Sequence, residues 1–521
     1  MIKVLDCTLR DGGYINNWNF SRSQVDKITN ALCRSNIDII ELGYLDKKRG
    51  SKENSTLFNT VSSVDNIIDN LPIKAQMVVM IDLYAFDVHA LPKKVDTKID
   101  GIRLAFHKHD IKNALQAARK IINLGYQLFF QPMVTKTYTD KEFLTLIEKV
   151  SQIDIYAFYI VDSFGSMSLS EFRHYIGLAD ANLNSDVGLG YHSHNNMQLA
   201  FSNAIDFCNS QIDREVIIDS SIYGMGRGAG NLNTELIADY LNNKDHKKYN
   251  VLPLLEVIDE ILTYYFKKQP WGFSPAQYLS SSFDCHPNYA SYLVDKKTTH
   301  IADIQKVLEK IPLNKRVSFD ESAVDKLYQQ FLLTIKSEAQ GELNIPNDKK
   351  VLLIASGNSV SNNLNLIKQK IKSGNYFVIA LNYKPQFNCD YYFFSNHQRF
   401  DEFKGLLPIE RRVITTNIKC NQKTGIVLEL KDIVYIEDKF VTNVAILMIN
   451  YLISQNIKQV EIAGLDGYQV GRDNYAYNET NVPNSELLFI ELNQAVESSL
   501  KVLKSFINIK LITSSIYEDI L

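Results

Sequence analysis

Ile2-Lys3-Val4-Leu5-Asp6-Cys7-Thr8-Leu9-Arg10-Asp11-Gly12 is an apolar run that turns charged at Arg10-Asp11. A much later run, 187–192, ends in the same manner, at His192-Ser193-His194. Between and beyond them lie six more short apolar runs, at 37–44, 75–81, 101–106, 126–133, 157–161 and 215–222. The stretches 22–35, 111–124, 140–151 and 197–210 carry apolar residues at helical spacing instead. Eight alternating β and α segments before about residue 230 predict a (β/α)8 barrel. A doubly wound sheet is the alternative, but it rarely reaches eight regular units.

In such barrels chemistry gathers at the C-terminal ends of the strands. Arg10 and Asp11 end the first run, Glu41 lies near the end of the second and Gln131 near the end of the fifth. Asp162 closes the sixth, His192 and His194 close the seventh, and the eighth leads into Gly224-Met225-Gly226-Arg227-Gly228-Ala229-Gly230-Asn231. Gathering polar side chains at so many strand ends costs free energy, so a functional site is the economical explanation.

Histidines two apart on a strand share a face, so His192 and His194 can bind one ion together with Asp11 from another strand end. One carboxylate and two imidazoles with open positions suit a divalent metal. Mn²⁺ or Mg²⁺ is favoured for an oxo-acid ligand, with Zn²⁺, Fe²⁺ or Co²⁺ as alternatives. A neighbouring arginine could then hold negative charge developing beside a carbonyl. An isolated H-x-H is more often an ordinary hydrogen-bonded pair; the Arg10-Asp11 pair tips the balance here.

Three segments carry a resemblance: Asp6-Cys7-Thr8-Leu9-Arg10-Asp11-Gly12, His192-Ser193-His194-Asn195 and Gly228-Ala229-Gly230-Asn231-Leu232-Asn233-Thr234-Glu235. In this order they resemble the DRE-TIM metallolyase superfamily. That group includes 4-hydroxy-2-oxovalerate aldolase, hydroxymethylglutaryl-CoA lyase and the isopropylmalate, homocitrate and citramalate synthases. The match covers residues 1 to about 240, and the aldolase branch is the nearest.

The resemblance implies metal ligation by Asp11, His192 and His194, with Asn231 where some members add an oxygen ligand. It implies that Arg10 stabilises an enolate, and that Glu41 and Gln131 orient substrate or support the site. The expected reaction joins or splits a 2-oxo acid and an aldehyde. A Claisen-type acyl transfer from acetyl-CoA and a non-catalytic metal-binding scaffold are the alternatives. The chain departs from the aldolases where their acid/base histidine follows the metal aspartate by three residues: Tyr14 stands there. A phenol is a poorer base at neutral pH. A later aldolase tyrosine falls near Phe273, leaving Tyr14, His107, His286 or Tyr289 to move the proton.

Residues 251–336 turn helical (252–266, 302–311 and 321–335) and are expected to form an extension packed on a barrel domain of residues 1–250. The polar stretch 337–350 reads as a linker. A second α/β, Rossmann-like domain is expected over 351–521, with strands at 351–355, 376–381, 391–395, 412–415, 460–463 and 509–512 and helices at 363–373, 441–454 and 485–506. In it Gly357, Asn358 and Ser359 follow a strand and precede a helix, where backbone N–H groups can meet an anion. Asp466 closes another strand. The two motifs loosely resemble nucleotide- or nucleotide-sugar-binding domains of surface-glycan enzymes, which implies a role in bacterial polysaccharide assembly. A ligand-free strand-helix turn would give the same pattern.

Composition bounds the partners. The chain has 521 residues, 45% apolar and 22% charged, with a net charge of −3. That suits a soluble globular protein of two or three domains and gives no electrostatic reason to expect nucleic acid or an anionic membrane. Six scattered cysteines without a C-x-x-C pair argue against a zinc knuckle and for reduced thiols. The first strand-like run leaves no room for a signal peptide, and no stretch approaches 18 apolar residues. A cytoplasmic homo-oligomer acting on small molecules is expected.

Overall fold

A computed structural model describes residues 1–49, 54–68, 75–245, 248–296, 299–334, 339–420, 425–437, 439–469, 474–476 and 486–521. Expected linker residues 337 and 338, and residues 335 and 485 of the expected helices, lie outside the described residues. The chain divides into two compact units. The first comprises Met1–Ser291 with Pro312–Phe319, and the second Tyr292–Ile311 with Asp320–Leu521.

All eight runs of the first unit form parallel strands: β1 (Ile2–Asp6), β2 (Ile39–Leu45), β3 (Gln76–Asp82), β4 (Gly101–Phe106), β5 (Gln127–Pro132), β6 (Ala157–Asp162), β7 (Gly188–Ser193) and β8 (Val216–Ser220). Each pairs with its sequence neighbour. β1 pairs both with β8, from Ile2↔Val216 to Asp6↔Ser220, and with β2, at Leu5↔Ile39 and Asp6↔Ile40. The sheet is therefore a closed eight-stranded barrel. Near-continuous burial along the strands follows from helices outside and side chains inside.

The helices start where local chemistry dictates. Ser21, Thr139 and Ser168 cap the helices Arg22–Arg34, Asp140–Val150 and Leu169–Asn182, and each is answered by Gln24, Glu142 or Glu171 in a capping box. Such reciprocal pairs satisfy two orphaned amides each and fix where these three outer helices begin.

Parity along the strands decides what enters the barrel mouth. Leu5, Ile39, Phe129, Tyr159 and Ile217 pack together inside the barrel. Two residues further along a strand the side chain returns to the same face. Ile39 is thus followed by Glu41, Phe129 by Gln131 and Ile217 by Asp219, all at the C-terminal rim. A bulge in β2 adjusts this pattern, as its register with β3 shifts between Glu41 and Tyr44. Gly43 takes φ +147° there, and a Cβ on it would lie 2.2 Å from the Thr56 carbonyl oxygen. Glycine alone fits that close approach.

The second unit holds a wholly parallel seven-stranded sheet: β9 (Lys350–Ile354), β10 (Tyr376–Leu381), β11 (Tyr391–Phe394), β12 (Arg412–Thr415), β13 (Ile426–Leu428), β14 (Gln459–Ala463) and β15 (Asn508–Leu511). The order is β13-β12-β11-β10-β9-β14-β15. The winding reverses between β9 and β14, the place where open α/β sheets bind ligands. β13 was not anticipated from the sequence; three residues at a sheet edge leave too short a pattern to read.

The residues of the expected helical extension divide between the two units. Its residues up to 291 go with the barrel, but the helices Ile301–Glu309 and Glu321–Thr334 belong to the second unit. Their apolar faces, with Ile304, Val307 and Leu308 on one and Val324, Tyr328 and Phe331 on the other, are buried, and the helices pack against each other. Helical spacing announces an apolar face but not the surface that will cover it.

Candidate metal centre

After β1 the chain makes one helical turn, Thr8–Asp11, instead of continuing as strand. The turn carries Arg10 and Asp11 over the barrel mouth. Asp11 Oδ2 lies 3.7 Å from His192 Nε2 and 4.0 Å from His194 Nε2, and the three donor atoms fall within 4.8 Å of one another. Atoms bonded to one ion at about 2.0–2.2 Å stand about 2.8–4.4 Å apart, so the two separations from Asp11 fit a shared divalent cation.

The protonation states suit the same end. Burial first, then Arg227, His192 and Arg10, push the His194 imidazole down to about 3, outweighing Asp11, and leave it neutral. Burial alone would raise the Asp11 carboxyl, but Arg10 and the two imidazoles outweigh it and hold it well below the usual carboxylate range. His192 Nδ1 shares a 2.9 Å hydrogen bond with Asp219 Oδ2. A proton on Nδ1 leaves the Nε2 lone pair facing Asp11, the orienting arrangement common behind metal-binding histidines. Asn231 donates through Nδ2 to Asp11 Oδ2 at 2.6 Å, while its Oδ1 is buried without a partner. A half-turn of that amide would put the oxygen towards the acid, where it could serve as a ligand.

Around this cluster runs a loop of buried charge. Arg10 Nη1 lies 3.0 Å from Asp11 Oδ1, and Arg10 Nε donates to Glu41 Oε2 at 2.8 Å. Glu41 Oε2 also meets Arg103 Nη1 at 2.7 Å, Arg103 Nη2 pairs with Asp219, and Asp219 returns to His192. None of these side chains is more than 6% exposed. Buried charges persist when paired, and here each guanidinium has two carboxylates. Three carboxylates face two guanidiniums, so the loop has room for added positive charge. Burial would raise the Asp219 carboxyl, but Arg103 and His192 hold it low.

The structure brings Arg10, Asp11, Glu41, His192, His194 and Asn231 together. Gln131 joins at one remove: with its amide turned, its oxygen accepts from Arg103 Nη2 and Nε at 2.6 and 2.8 Å. Tyr14 is half-buried near the mouth, with its hydroxyl 3.3 Å from that of Tyr44. The Asp162 carboxylate accepts from the Ser166 and Met167 amides, each at 3.0 Å, and so shapes a loop. The Tyr289 hydroxyl lies 2.7 and 2.9 Å from the Lys315 and Ser318 carbonyls, a structural arrangement. Phe273 is exposed. Sequence reasoning missed Arg103 and Asp219. Their signal was a single charge inside each otherwise apolar run, 101–106 and 216–220.

In the second unit the expected anion cradle is already filled. The Ser359 amide donates to Asp466 Oδ2 at 2.7 Å, the Ser359 hydroxyl bonds the same carboxylate, and the Gly357 amide donates to the Gly464 carbonyl at 2.9 Å. An internal carboxylate thus caps the short helix Ser359–Asn362, which Asn358 precedes without a side-chain cap bond. What remains at the β9–β14 reversal is a cleft lined by Gly357, Asn443, Asp466, Tyr468, Tyr475 and Tyr517.

Comparison with known proteins adds the family. The sequence profile described as HMGL-like matches residues 1–259. The chain is 25% identical over 268 residues to a 4-hydroxy-2-oxovalerate aldolase of Bacillus thuringiensis, covering 50% of this chain and 76% of that one. It is 22% identical over 244 residues to an oxaloacetate decarboxylase of Mycobacterium tuberculosis, covering 47% and 70%. Among solved structures it is similar to the N-terminal domain of a protein described as an aldolase from Bacteroides vulgatus. Identity there is 28%, coverage 56% of this chain and 96% of the other, and the TM-score 0.49. The barrel of this chain, residues 1–259, belongs to the HMGL-like family of the DRE-TIM metallolyase superfamily.

Proposed function

We propose that the barrel is a divalent-metal-dependent aldolase or lyase, making or breaking a carbon–carbon bond between a 2-oxo acid such as pyruvate and an aldehyde. One observation carries the reading: a buried Asp11-His192-His194 donor cluster lies beside a guanidinium, Arg10, whose Nη2 is buried without a partner. Family membership supports it, as do two relatives named for reactions of 2-oxo acids.

Asp11, His192 and His194 would hold the cation, Mn²⁺ or Mg²⁺ for preference, with Asn231 as a further oxygen ligand. Bound there, the cation supplies Lewis acidity towards the ketone and carboxylate oxygens of the acid. Arg10 offers its spare N–H to the oxygen that becomes negative as the enolate forms, and Glu41 fixes that guanidinium in place. Gln131 acts through Arg103. In the condensation direction pyruvate loses a methyl proton, the new bond forms to the aldehyde carbon, and the resulting alkoxide takes a proton. Tyr14, paired with Tyr44, is the group read as supplying that proton.

For the second unit we infer a nucleotide or nucleotide-sugar in the cleft at the strand-order reversal, and use of the barrel's product in surface-polysaccharide assembly. The doubly wound topology and that cleft are the support. The six cysteines are scattered along the sequence with no C-x-x-C pair, and that pattern favours the cytoplasm. No described helix is long and apolar enough to cross a membrane.

The test is incubation of the full chain with Mn²⁺ and pyruvate in D2O, followed by NMR, and then with an aldehyde panel followed by mass spectrometry. Loss of the pyruvate methyl protons and new 4-hydroxy-2-oxo acids are expected, both abolished in Asp11→Ala and Arg10→Ala. Absence of both across several 2-oxo acids, or unchanged activity in the two variants, would sink the reading. Thiol release from acetyl-CoA would point to acyl transfer instead.

A further inference from the structure

Arg227 stands in the glycine-rich loop after β8, between Gly226 and Gly228. Its guanidinium lies over the Tyr14 ring at 5.3 Å, and its Nη1 is 3.3 Å from His286 Nε2. Its Nε is buried and makes no hydrogen bond. Its field reaches both the donor cluster and the histidines around it, as it shifts Asp11, His194, His107 and His286.

The contrast with the other two arginines of the mouth is informative. Arg10 and Arg103 each meet two carboxylates. Among the described residues no carboxylate pairs with Arg227. Its polar neighbour, His286, is held neutral by burial, by Arg227 itself and by nearby histidines, with its pKa pushed down to about 3. A partly buried guanidinium facing only a neutral imidazole and an aromatic ring lacks its counter-charge, and such a charge is costly until an anion arrives. The guanidinium fork matches carboxylate and phosphate oxygens in two-pronged geometry.

We propose that Arg227 is a specificity-determining residue that binds a second acidic group, a carboxylate or a phosphate, carried by the aldehyde half of the substrate. The proposal rests on the aldolase reading above. The 2-oxo acid's own carboxylate is accounted for at the Asp11 cluster. Arg227 instead flanks Tyr14, the group read as protonating the oxygen on the aldehyde-derived carbon. A charge held by Arg227 therefore belongs to that partner.

The experiment uses the full chain with Mn²⁺ and pyruvate and compares matched aldehydes. Succinic semialdehyde is set against butanal, and glyceraldehyde 3-phosphate against glyceraldehyde, so that the two arms distinguish carboxylate from phosphate. In the unaltered protein kcat/KM should favour the acidic member of at least one pair by about ten- to a hundred-fold, the range of a charge-assisted pair. In Arg227→Gln that ratio should fall below about three, and in Arg227→Lys part of it should survive. Each ratio is taken within one protein, so a general loss of activity cancels. Ratios near one in the unaltered protein, or a ratio that persists in Arg227→Gln, would overturn the proposal while leaving pyruvate proton exchange, and the aldolase reading, intact. If Arg227→Gln does not fold, the unaltered protein's ratios and the drop in Arg227→Lys still decide. Absence of pyruvate exchange in the unaltered protein would bring down the reading and this proposal together.

Discussion

Replacing Arg103 by methionine leaves the volume of the site nearly unchanged and removes one charge from the centre of the buried loop. Arg103 is fully buried and meets Glu41 at 2.7 Å, Asp219 and, with the amide turned, Gln131. Burial would lower its pKa, but Asp219 and Glu41 raise it well above the ordinary value. Without it, among the ion pairs of the described residues, Glu41 is left with Arg10 and Asp219 with His192. Breaking a buried pair from one side costs about 3–5 kcal/mol, because the partner is left as an uncompensated charge. That is a factor of about 150 to 5000 in the folding equilibrium, set against a total stability of about 5–15 kcal/mol. With a urea slope of about 3 kcal/mol per molar, the midpoint should fall by roughly 1–1.7 M. Both tryptophans, Trp18 and Trp271, lie in the first unit, so their fluorescence reads the barrel alone. The triple variant Arg103→Met/Glu41→Gln/Asp219→Asn, which also neutralises the stranded carboxylates, should recover at least half of the loss. A single-variant loss under about 1 kcal/mol, or a triple variant no better than the single one, would refute the claim that paired charge is what holds this rim.

Asp219→Asn keeps the shape behind His192 but weakens the hold on its tautomer; Mn²⁺ affinity by calorimetry should drop about 10- to 100-fold, and unchanged affinity would remove Asp219 from the site. Asp6 supplies a pH prediction. Burial, opposed by hydrogen bonds from Thr234 and Thr8, pushes its carboxyl up to about 6. Between about pH 4 and 6 the unfolded chain therefore releases a proton that the folded barrel keeps, so stability falls as pH rises, by up to about 3 kcal/mol, and levels off above. The depressed carboxyls Asp11 and Asp219 act in the opposite sense, losing stability only as pH falls below about 4. Asp6→Asn should flatten the decline between pH 4 and 6 in tryptophan-monitored urea titrations, and an unaltered slope would reject the assignment.

Much of the site was legible because strand ends and side-chain parity are local properties. The spacing of His192 and His194 on one strand face needs no partner to be read, and the capping boxes at Ser21, Thr139 and Ser168 mark helix starts within four residues. Parity could have added Arg103 and Asp219, had the lone charges in those runs been followed inward. The Tyr289 and Ser359 outcomes were different in kind, because their partners, Lys315, Ser318 and Asp466, are set by remote packing.

The sequence alone determined that eight β-α units would follow one another and that Arg10, Asp11, His192 and His194 would stand at strand ends, since apolar period and chain direction are written residue by residue. Tertiary structure decided which charges neutralise which. Closing β1 onto both β8 and β2 brings residues from opposite ends of the domain within bonding distance, and only then does one arginine of the mouth, Arg227, turn out to pair with no carboxylate among the described residues. Pairing energies depend on distances across that closure, and no local pattern encodes them.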